Sequence, residues 1–379
     1  MILSGGRYYE IGLGFVTADI SYDPSTGLID DSFHGEKIDI SGCIVLPGFV
    51  DTHIHGCFGS DTSDLTSDSI VNMALNLPRF GVTSFCPTTM TMSCDKIYKA
   101  FDSVAEAITK LSSMNRPYAR ILGVHLEGPF LSPQMSGVQG REDLILPKDG
   151  FEIIDKIEND HPGLLKIIDI APELEGSEEF IQRYKDRYVL SIAHSMCDYD
   201  LAVRSISSGI KSVTHVLNAM VSIDKRAPGV ACAAFDTGSY VEVICDGTHI
   251  MPPVLRVIFK SAGKDRTIVI SDSMRGAGMP DGEYLLGDTL VKCENGRTYF
   301  GEDKRLAGSV SNLFDEYLLL KDSGIEHDQI VRSLTINPLN RIGSKNGEIR
   351  PGQMADLVVI KDDKVYMSIC GGRILINSF

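Results

Sequence analysis

Short apolar runs that end in polar residues recur eight times in the middle of the chain. They are VDTHIH, VTSFCPTT, ILGVHLEG, LLKIIDIAPE, YVLSIAHS, IKSVTHV, YVEVICDG and TIVISDS. Runs that are rich in Val and Ile and apolar along most of their length are typical of strands buried on both faces. They predict the parallel strands of an α/β protein.

Segments with helical spacing lie between most of these runs. Between residues 94 and 112, the apolar positions fall on one face at spacings of three and four: Ile97, Phe101, Val104, Ile108 and Leu111. Other helices are predicted to start near Ser67, Gly150, Ser177, Asp198, Pro252, Ser311 and His327. Strand and helix alternating eight times predict an α/β fold of the (β/α)₈ TIM-barrel type.

Both ends of the chain show a different pattern. Residues 1–45 contain short alternating segments and the turn signal YDPSTG, and residues 346–379 contain two apolar runs around a charged turn. Neither end is long enough to bury a core by itself. We expect one small β-sandwich domain built from both termini (1–45 with 346–379) and a catalytic barrel domain over residues 46–345.

Residues that commonly bind metals close five of the eight predicted strands: His53, His55, Glu127, His194, His215 and Asp272. In a (β/α)₈ barrel, the carboxyl ends of the strands form the active-site face. Residues i and i+2 of a strand point to the same side, so His53 and His55 can hold one metal together. Imidazole and carboxylate ligands suit Zn²⁺ or Fe²⁺ better than Mg²⁺ or Ca²⁺. His125 is expected to support this site and not to bind the metal.

Charge and composition exclude several classes of protein. The 379 residues carry a formal net charge of −15, which repels nucleic acid and anionic membranes. No run approaches the roughly 18 apolar residues of a membrane span. The nine cysteines show no CxxC pairing, and the N-terminal residues lack the pattern of a signal peptide. We therefore expect a cytoplasmic protein with reduced thiols and a small-molecule partner.

The motifs around these residues resemble those of the amidohydrolase superfamily and, within it, the N-acetylglucosamine-6-phosphate deacetylases. The matching segments follow in order along almost the whole chain: PGFVDTHIHG (47–56), HLEGPFL (125–131), AHS (193–195), THVLNAM (214–220), RAPG (226–229), DGTH (246–249), SDSM (271–274) and LAGS (306–309). HLEGPFL together with the NAM segment is specific to this group. The resemblance implies metal-dependent hydrolysis of N-acetylglucosamine 6-phosphate to glucosamine 6-phosphate and acetate.

The resemblance also implies the roles of individual residues. Glu127, His194 and His215 would hold the metal common to the family, and His53 and His55 would hold a second Zn or Fe ion that Glu127 bridges. Asp272 would be a ligand and the catalytic acid and base. Substrate contacts would come from Gln139, Asn218, Ala219, Arg226, His249, Leu306, Ala307 and Gly308. Some of these residues can reach in from the neighbouring subunit of a homodimer.

One position departs from the family pattern. Members usually carry a Gly-Ala-His-like segment whose His meets the substrate, but residues 136–140 read SGVQG here, with Gln139 at that place. Glutamine donates and accepts hydrogen bonds but carries no charge. The sugar could therefore be N-acetylgalactosamine 6-phosphate or another acylated amino sugar.

Two further classes of protein fit this sequence less well. Amidohydrolases that act on cyclic amides usually have a carboxylated lysine at a strand end, where Glu127 stands in this chain. A non-catalytic sugar-phosphate-binding protein would be expected to have lost Asp272 or a ligand, and the full set is present. Residues 275–284, RGAGMPDGEY, predict a mobile loop over the site.

Overall fold

A computed structural model describes residues 1–377, with parallel strands at its centre. In chain order they are Phe49–Ile54, Val82–Pro87, Arg120–Ile121 continued by Val124–Leu126, Leu165–Ile170, Val189–Ile192, Ser212–Val213, Tyr240–Ile244 and Thr267–Ile270. Each coincides with one of the eight apolar runs, and nearly all of their residues are buried. The prediction of eight strands is confirmed, with the third in two pieces.

The parallel strands form two hydrogen-bonded sheets. One contains Phe49–Ile54 and Val82–Pro87 with Arg120–Ile121, and the other runs in chain order through the remaining six strands. Thr88 and His125 join the two sheets through an isolated parallel bridge. The Asp272 amide donates to the carbonyl oxygen of His53 at 3.0 Å, which places the last strand beside the first. Because all the strands are parallel, their carboxyl ends face the same side.

Helices lie between the strands and follow the last of them. They are Ser67–Asn76, Cys94–Ser112, Phe151–Asp160, Ser177–Tyr184, Tyr199–Ser208, Gly229–Asp236, Pro252–Ala262, Leu313–Asp322, His327–Leu334 and Ile336–Arg341. Short 3₁₀ turns span Thr62–Asp64, Leu77–Phe80, Pro133–Met135, Arg141–Asp143 and Pro147–Asp149.

The predicted helices are present, with small differences. In Cys94–Ser112 the predicted face is buried except for Ile108, which is 39% exposed. The sequence analysis did not predict Gly229–Asp236 or Ile336–Arg341. Across residues 1–377, none of the helices combines the length and the hydropathy needed to cross a membrane.

Strands from both ends of the chain pair with one another. A six-stranded sheet has the order Arg373–Ile376, Lys364–Cys370, Leu357–Lys361, Ile44–Pro47, Arg7–Glu10, Gly14–Val16. A four-stranded sheet has the order Leu28–Ile29, Ile20–Asp23, Ile2–Ser4, Lys37–Asp39. Buried side chains of the two sheets, including Leu3, Tyr22, Val359 and Ile369, form one small core. The strand Ile44–Pro47 crosses the domain boundary predicted at residue 45.

The region after the last parallel strand differs from the prediction. Residues 275–281 of the predicted loop lie outside the strands, but its last three residues begin a four-stranded antiparallel sheet, which the sequence analysis did not predict. The sheet is made of Gly282–Leu286, Thr289–Glu294, Arg297–Phe300 and Arg305–Leu306. We call residues 282–306 the β insertion. Asn295 and Gly296 turn between its second and third strands at φ of +54° and +72°. An Asn-Gly pair between alternating strands is a strong hairpin signal, so the sequence did carry the evidence.

Candidate active site

The six predicted metal ligands converge at the carboxyl ends of the parallel strands. His53 lies in the first strand, and the others follow their strands by one or two residues. The backbone has positive φ at His194 (+43°), His215 (+28°) and Asp272 (+46°). Residues other than glycine rarely adopt this backbone conformation, which costs about 1–3 kcal/mol at each position. Such strain at three chemically reactive residues is typical of a functional site.

The first group of ligand atoms is centred on Glu127. Glu127 Oε1 lies 3.1 Å from His194 Nε2 and 3.1 Å from His215 Nε2. The two ring nitrogens are 3.2 Å apart. All three side chains are buried. One carboxylate oxygen and two imidazole nitrogens at this spacing can hold one metal ion.

The second group lies beside the first and consists of His53, His55 and Asp272. Asp272 Oδ1 is 3.4 Å from His53 Nε2 and 3.1 Å from His55 Nε2. Glu127 also faces this group, since its Oε2 lies 3.2 Å from His55 Nε2. His53 Nε2 is fully buried and has no hydrogen-bond partner among the described residues. A buried nitrogen without a partner, aimed at two carboxylates, fits a metal ligand.

The charges of the site favour an added cation. Burial lowers the pKa of His55, but hydrogen bonds to Asp272 and Glu127 outweigh this effect and raise it to about 10. Burial raises the pKa of Asp272, yet the charge of His53 and the contact with His55 hold it below its ordinary value. The carboxylates are therefore ionised, and they draw positive charge, in the form of protons, onto the rings beside them. A divalent metal supplies that charge without protons.

Hydrogen bonds behind the rings orient the ligands. His194 Nδ1 lies 2.7 Å from the carbonyl oxygen of Met135, and His55 Nδ1 lies 3.3 Å from that of Thr88. A carbonyl oxygen only accepts, so each Nδ1 carries the proton and donates it. The Nε2 lone pairs of His194 and His55 therefore point towards Glu127 and the place where a metal would lie between the ligands, as in known metal sites.

Gln139 contacts the metal ligands directly. Its Nε2 donates to Glu127 Oε2 at 2.9 Å, and its Oε1 accepts from the Thr91 amide at 2.6 Å. Both ends of the amide are therefore engaged, and the residue is buried. In this position Gln139 orients Glu127.

A cavity of about 320 Å³ opens onto the ligands. It brings together most of the residues predicted to form the site: His55, Glu127, Gln139, His194, His215, Asn218, Ala219, His249, Asp272, Leu306, Ala307 and Gly308. His53 lies behind this wall, next to Glu127. The β insertion adds Leu286, Phe300 and Arg305, which the sequence analysis missed because it did not predict these strands.

His249, on the cavity wall, pairs with an acidic residue. Its Nδ1 lies 2.8 Å from Asp246 Oδ2, and its amide donates to Asp246 Oδ1 at 2.8 Å. Burial lowers the pKa of His249, but the hydrogen bond and the charge of Asp246 raise it above its ordinary value. The raised pKa favours the protonated ring, which suits an anionic ligand group.

Arg226 is the predicted substrate contact that the structure does not bring to this cavity. It is exposed and lines a different depression, with Met196, Tyr199 and Val221. Within one subunit, the predicted Arg226 contact is therefore not formed.

Comparisons with known proteins agree with this geometry. Residues 44–375 match the model of the Amidohydrolase family. The N-acetylglucosamine-6-phosphate deacetylase of Bacillus subtilis is 34% identical over 87% of this chain and 84% of its own. The N-acetylgalactosamine-6-phosphate deacetylase of Escherichia coli O157:H7 is 29% identical over 84% of this chain and 83% of its own. A mutant N-acetyl-D-glucosamine-6-phosphate deacetylase of Mycobacterium smegmatis, solved with N-acetyl-D-glucosamine-6-phosphate, superposes with a TM-score of 0.89 at 26% identity, over 100% of this chain and 99% of that one.

Proposed function

The chain belongs to the amidohydrolase family, and on that premise we propose that it hydrolyses N-acetylglucosamine 6-phosphate to glucosamine 6-phosphate and acetate. The observation that carries this proposal is the meeting of four histidines, Glu127 and Asp272 beside one cavity whose wall also contains His249. The metal ligands would act on the amide, and His249, whose raised pKa favours its protonated form, would contact the phosphate.

We propose two divalent metals per subunit, zinc or iron. The Glu127, His194 and His215 group and the His53, His55 and Asp272 group each offer three ligand atoms within reach of one ion. Nitrogen and carboxylate oxygen donors without thiolates match the preferences of these metals. Glu127 would bridge them, because its Oε1 faces the first group and its Oε2 faces His55.

The proposed reaction adds water across the amide bond. When bound, a divalent metal lowers the pKa of water and polarises a carbonyl oxygen. Asp272 Oδ would take the proton from the attacking water and pass it to the sugar nitrogen as the C–N bond breaks. The sugar leaves as an amine, and the acetyl group leaves as acetate. Asp272 is suited to act as the base because its lowered pKa keeps it ionised at rest.

Arg305 is a candidate partner of the phosphate within the same subunit. It is the single Lys or Arg among the described residues that line the cavity. Its guanidinium lies over the Phe300 ring at 4.4 Å, and its Nε is 3.0 Å from Asp303 Oδ2. An exposed ion pair of this kind is weak, so Asp303 can give way to a phosphate. The planar guanidinium matches phosphate oxygens well.

We expect Arg305→Gln to raise KM for the phosphorylated substrate about 10–100-fold, the loss of a charged hydrogen bond. The kcat/KM for unphosphorylated N-acetylglucosamine should stay unchanged. Steady-state acetate release on both sugars measures this, with the neighbouring Lys304→Gln as the matched control. An unchanged KM in Arg305→Gln would remove Arg305 from the phosphate site.

We keep the homodimer and the Arg226 contact as proposals. Arg226 lies outside the cavity of its own subunit, so it could contact phosphate only if a second subunit brought it in. Arg226→Gln, assayed beside Arg305→Gln, separates the two arginines.

The direct test is acetate release by the metal-loaded protein, given the 6-phosphates of N-acetylglucosamine and N-acetylgalactosamine in parallel. We expect a preference for the glucosamine compound. The alternative, preference for the galactosamine compound, has support in the relative from Escherichia coli O157:H7, named for that activity. Release from neither compound would contradict the proposal and direct the search to other acylated amino sugars.

We also propose that the two parallel sheets close into one (β/α)₈ barrel. The bridge between Thr88 and His125 and the Asp272 to His53 hydrogen bond support this closure. The terminal sheets, with their shared core, would be the predicted β-sandwich domain. The cytoplasmic location remains a prediction of the sequence.

A further inference from the structure

A buried ion pair lies behind the metal ligands. Arg341 Nη1 donates to Glu242 Oε1, and both side chains are fully buried. The same guanidinium donates to Thr52 Oγ1 at 2.6 Å and to Ser212 Oγ at 3.1 Å. Taking two charges out of water is unfavourable, and apolar residues in place of such a pair are often neutral or stabilising. Stability alone therefore gives little reason for this pair.

The second oxygen of Glu242 points to a metal ligand. Glu242 Oε2 lies 3.1 Å from His53 Nδ1. The Arg341 guanidinium only donates hydrogen bonds, so the Glu242 carboxylate paired with it is an acceptor. The proton therefore sits on His53 Nδ1, and the lone pair sits on Nε2. That Nε2 is the buried atom without a partner, 3.4 Å from Asp272 Oδ1.

His53 differs in this respect from two other ligands. His55 and His194 face neutral backbone carbonyls, those of Thr88 and Met135. A carboxylate behind an imidazole fixes the ring and makes it a better electron donor to a metal. The effect of Glu242 is thus directed at the metal on the His53 side.

A rival interpretation of the same residues is a third metal site. His53, His125 and Glu242 also offer three atoms within reach of one ion. However, His125 Nδ1 lies 3.0 Å from the Thr52 carbonyl oxygen, and its Nε2 lies 3.1 Å from Asp169 Oδ1. His125 Nε2 makes no hydrogen bond among the described residues, but both oxygens of Glu242 are engaged, one by Arg341 and one by His53 Nδ1. A metal ion at this place would have to displace those contacts beside a cationic guanidinium, so we interpret these residues as supports.

We propose that Glu242, held by Arg341, is a positioning residue that sets the affinity of the second metal through His53. The proposal rests on the proposed binuclear site and extends it to residues that touch neither metal nor substrate. Arg341 is the last residue of the helix Ile336–Arg341, which follows the last parallel strand in the chain. The proposal therefore gives this helix an indirect effect on metal binding.

The test is the metal affinity of Glu242→Gln, measured by chelator competition with Zn²⁺ and by metal content after dialysis. We expect the second metal to bind about 10–100-fold more weakly and the first to bind as before. His53→Asn defines the signal of a protein with one metal. Glu316→Gln is the matched control, because Glu316 is also fully buried but accepts from the Cys245 amide.

A second variant covers the case in which Glu242→Gln fails to fold because Arg341 is left unpaired. Glu242→Gln with Arg341→Met removes both charges and should give the same selective loss. A merely structural role would weaken both metals together or lower only the unfolding temperature. Wild-type affinity for two metals in either folded variant would overturn the proposal, as would a wild-type protein that binds one metal. Neither result depends on acetate release, which tests the deacetylase function separately.

Discussion

Asp272→Asn is expected to lower turnover of N-acetylglucosamine 6-phosphate about 10²–10⁴-fold, the usual contribution of general acid–base catalysis. The asparagine amide keeps an oxygen for the metal but cannot accept the proton of water. Metal content should therefore stay near that of the wild type, because His53 and His55 remain in place. Acetate release and elemental analysis on the same preparation measure the two quantities.

The control for this variant is Asp288→Asn in the β insertion. The Asp288 side chain is 88% exposed and pairs with Lys96 at the surface. Its loss should leave turnover and metal content unchanged. Wild-type turnover in Asp272→Asn would show that another group moves the proton.

Glu127→Gln is expected to lose metal and activity together. The Glu127 carboxylate lies within 3.2 Å of Nε2 in His55, His194 and His215, so it serves both groups of ligands. The glutamine amide has one oxygen instead of two and no negative charge, so the four imidazoles would have to hold the metals without the shared carboxylate. We expect the metal content to fall below one ion per subunit. Turnover should fall at least about 100-fold, since several kcal/mol of transition-state stabilisation depend on the metal.

Adding excess Zn²⁺ distinguishes weak binding from a direct role in chemistry. Partial recovery of Glu127→Gln at high metal concentration is expected if its defect is affinity. Glu316→Gln, a buried glutamate away from the ligands, should behave as the wild type. Full metal content in Glu127→Gln would contradict its place at the centre of both sites.

Local sequence patterns were sufficient to predict the central strands and to bring out the six candidate metal ligands. The apolar runs are long and rich in β-branched residues, and each ends at a polar residue that the structure places at the strand end. The His53 and His55 pair follows from strand geometry alone, because alternate residues share a face. The prediction failed in the β insertion, whose strands are half exposed and lack an apolar run. Its one clear local signal was the turn at Asn295 and Gly296.

Local patterns did not predict the contacts of Gln139. Its place in the motif order indicated a substrate contact, and it does line the cavity, but the motif gave no sign that its amide also lies between Glu127 and the Thr91 backbone. The motif order also indicated Arg226 as a substrate contact, but within one subunit Arg305 is the arginine on the cavity wall. Which side chain of a loop turns inward depends on the packing of other segments.

The sequence by itself determined the strands, most of the helices and the six candidate metal ligands, because hydrophobic periodicity and strand ends are properties of neighbouring residues. Only the tertiary structure decided which groups meet across the fold. His53 and Glu242 are 189 residues apart, and Arg341 and Thr52 are 289 apart. No local pattern encodes such pairs, since a buried carboxylate finds its partner only when packing excludes water from around both.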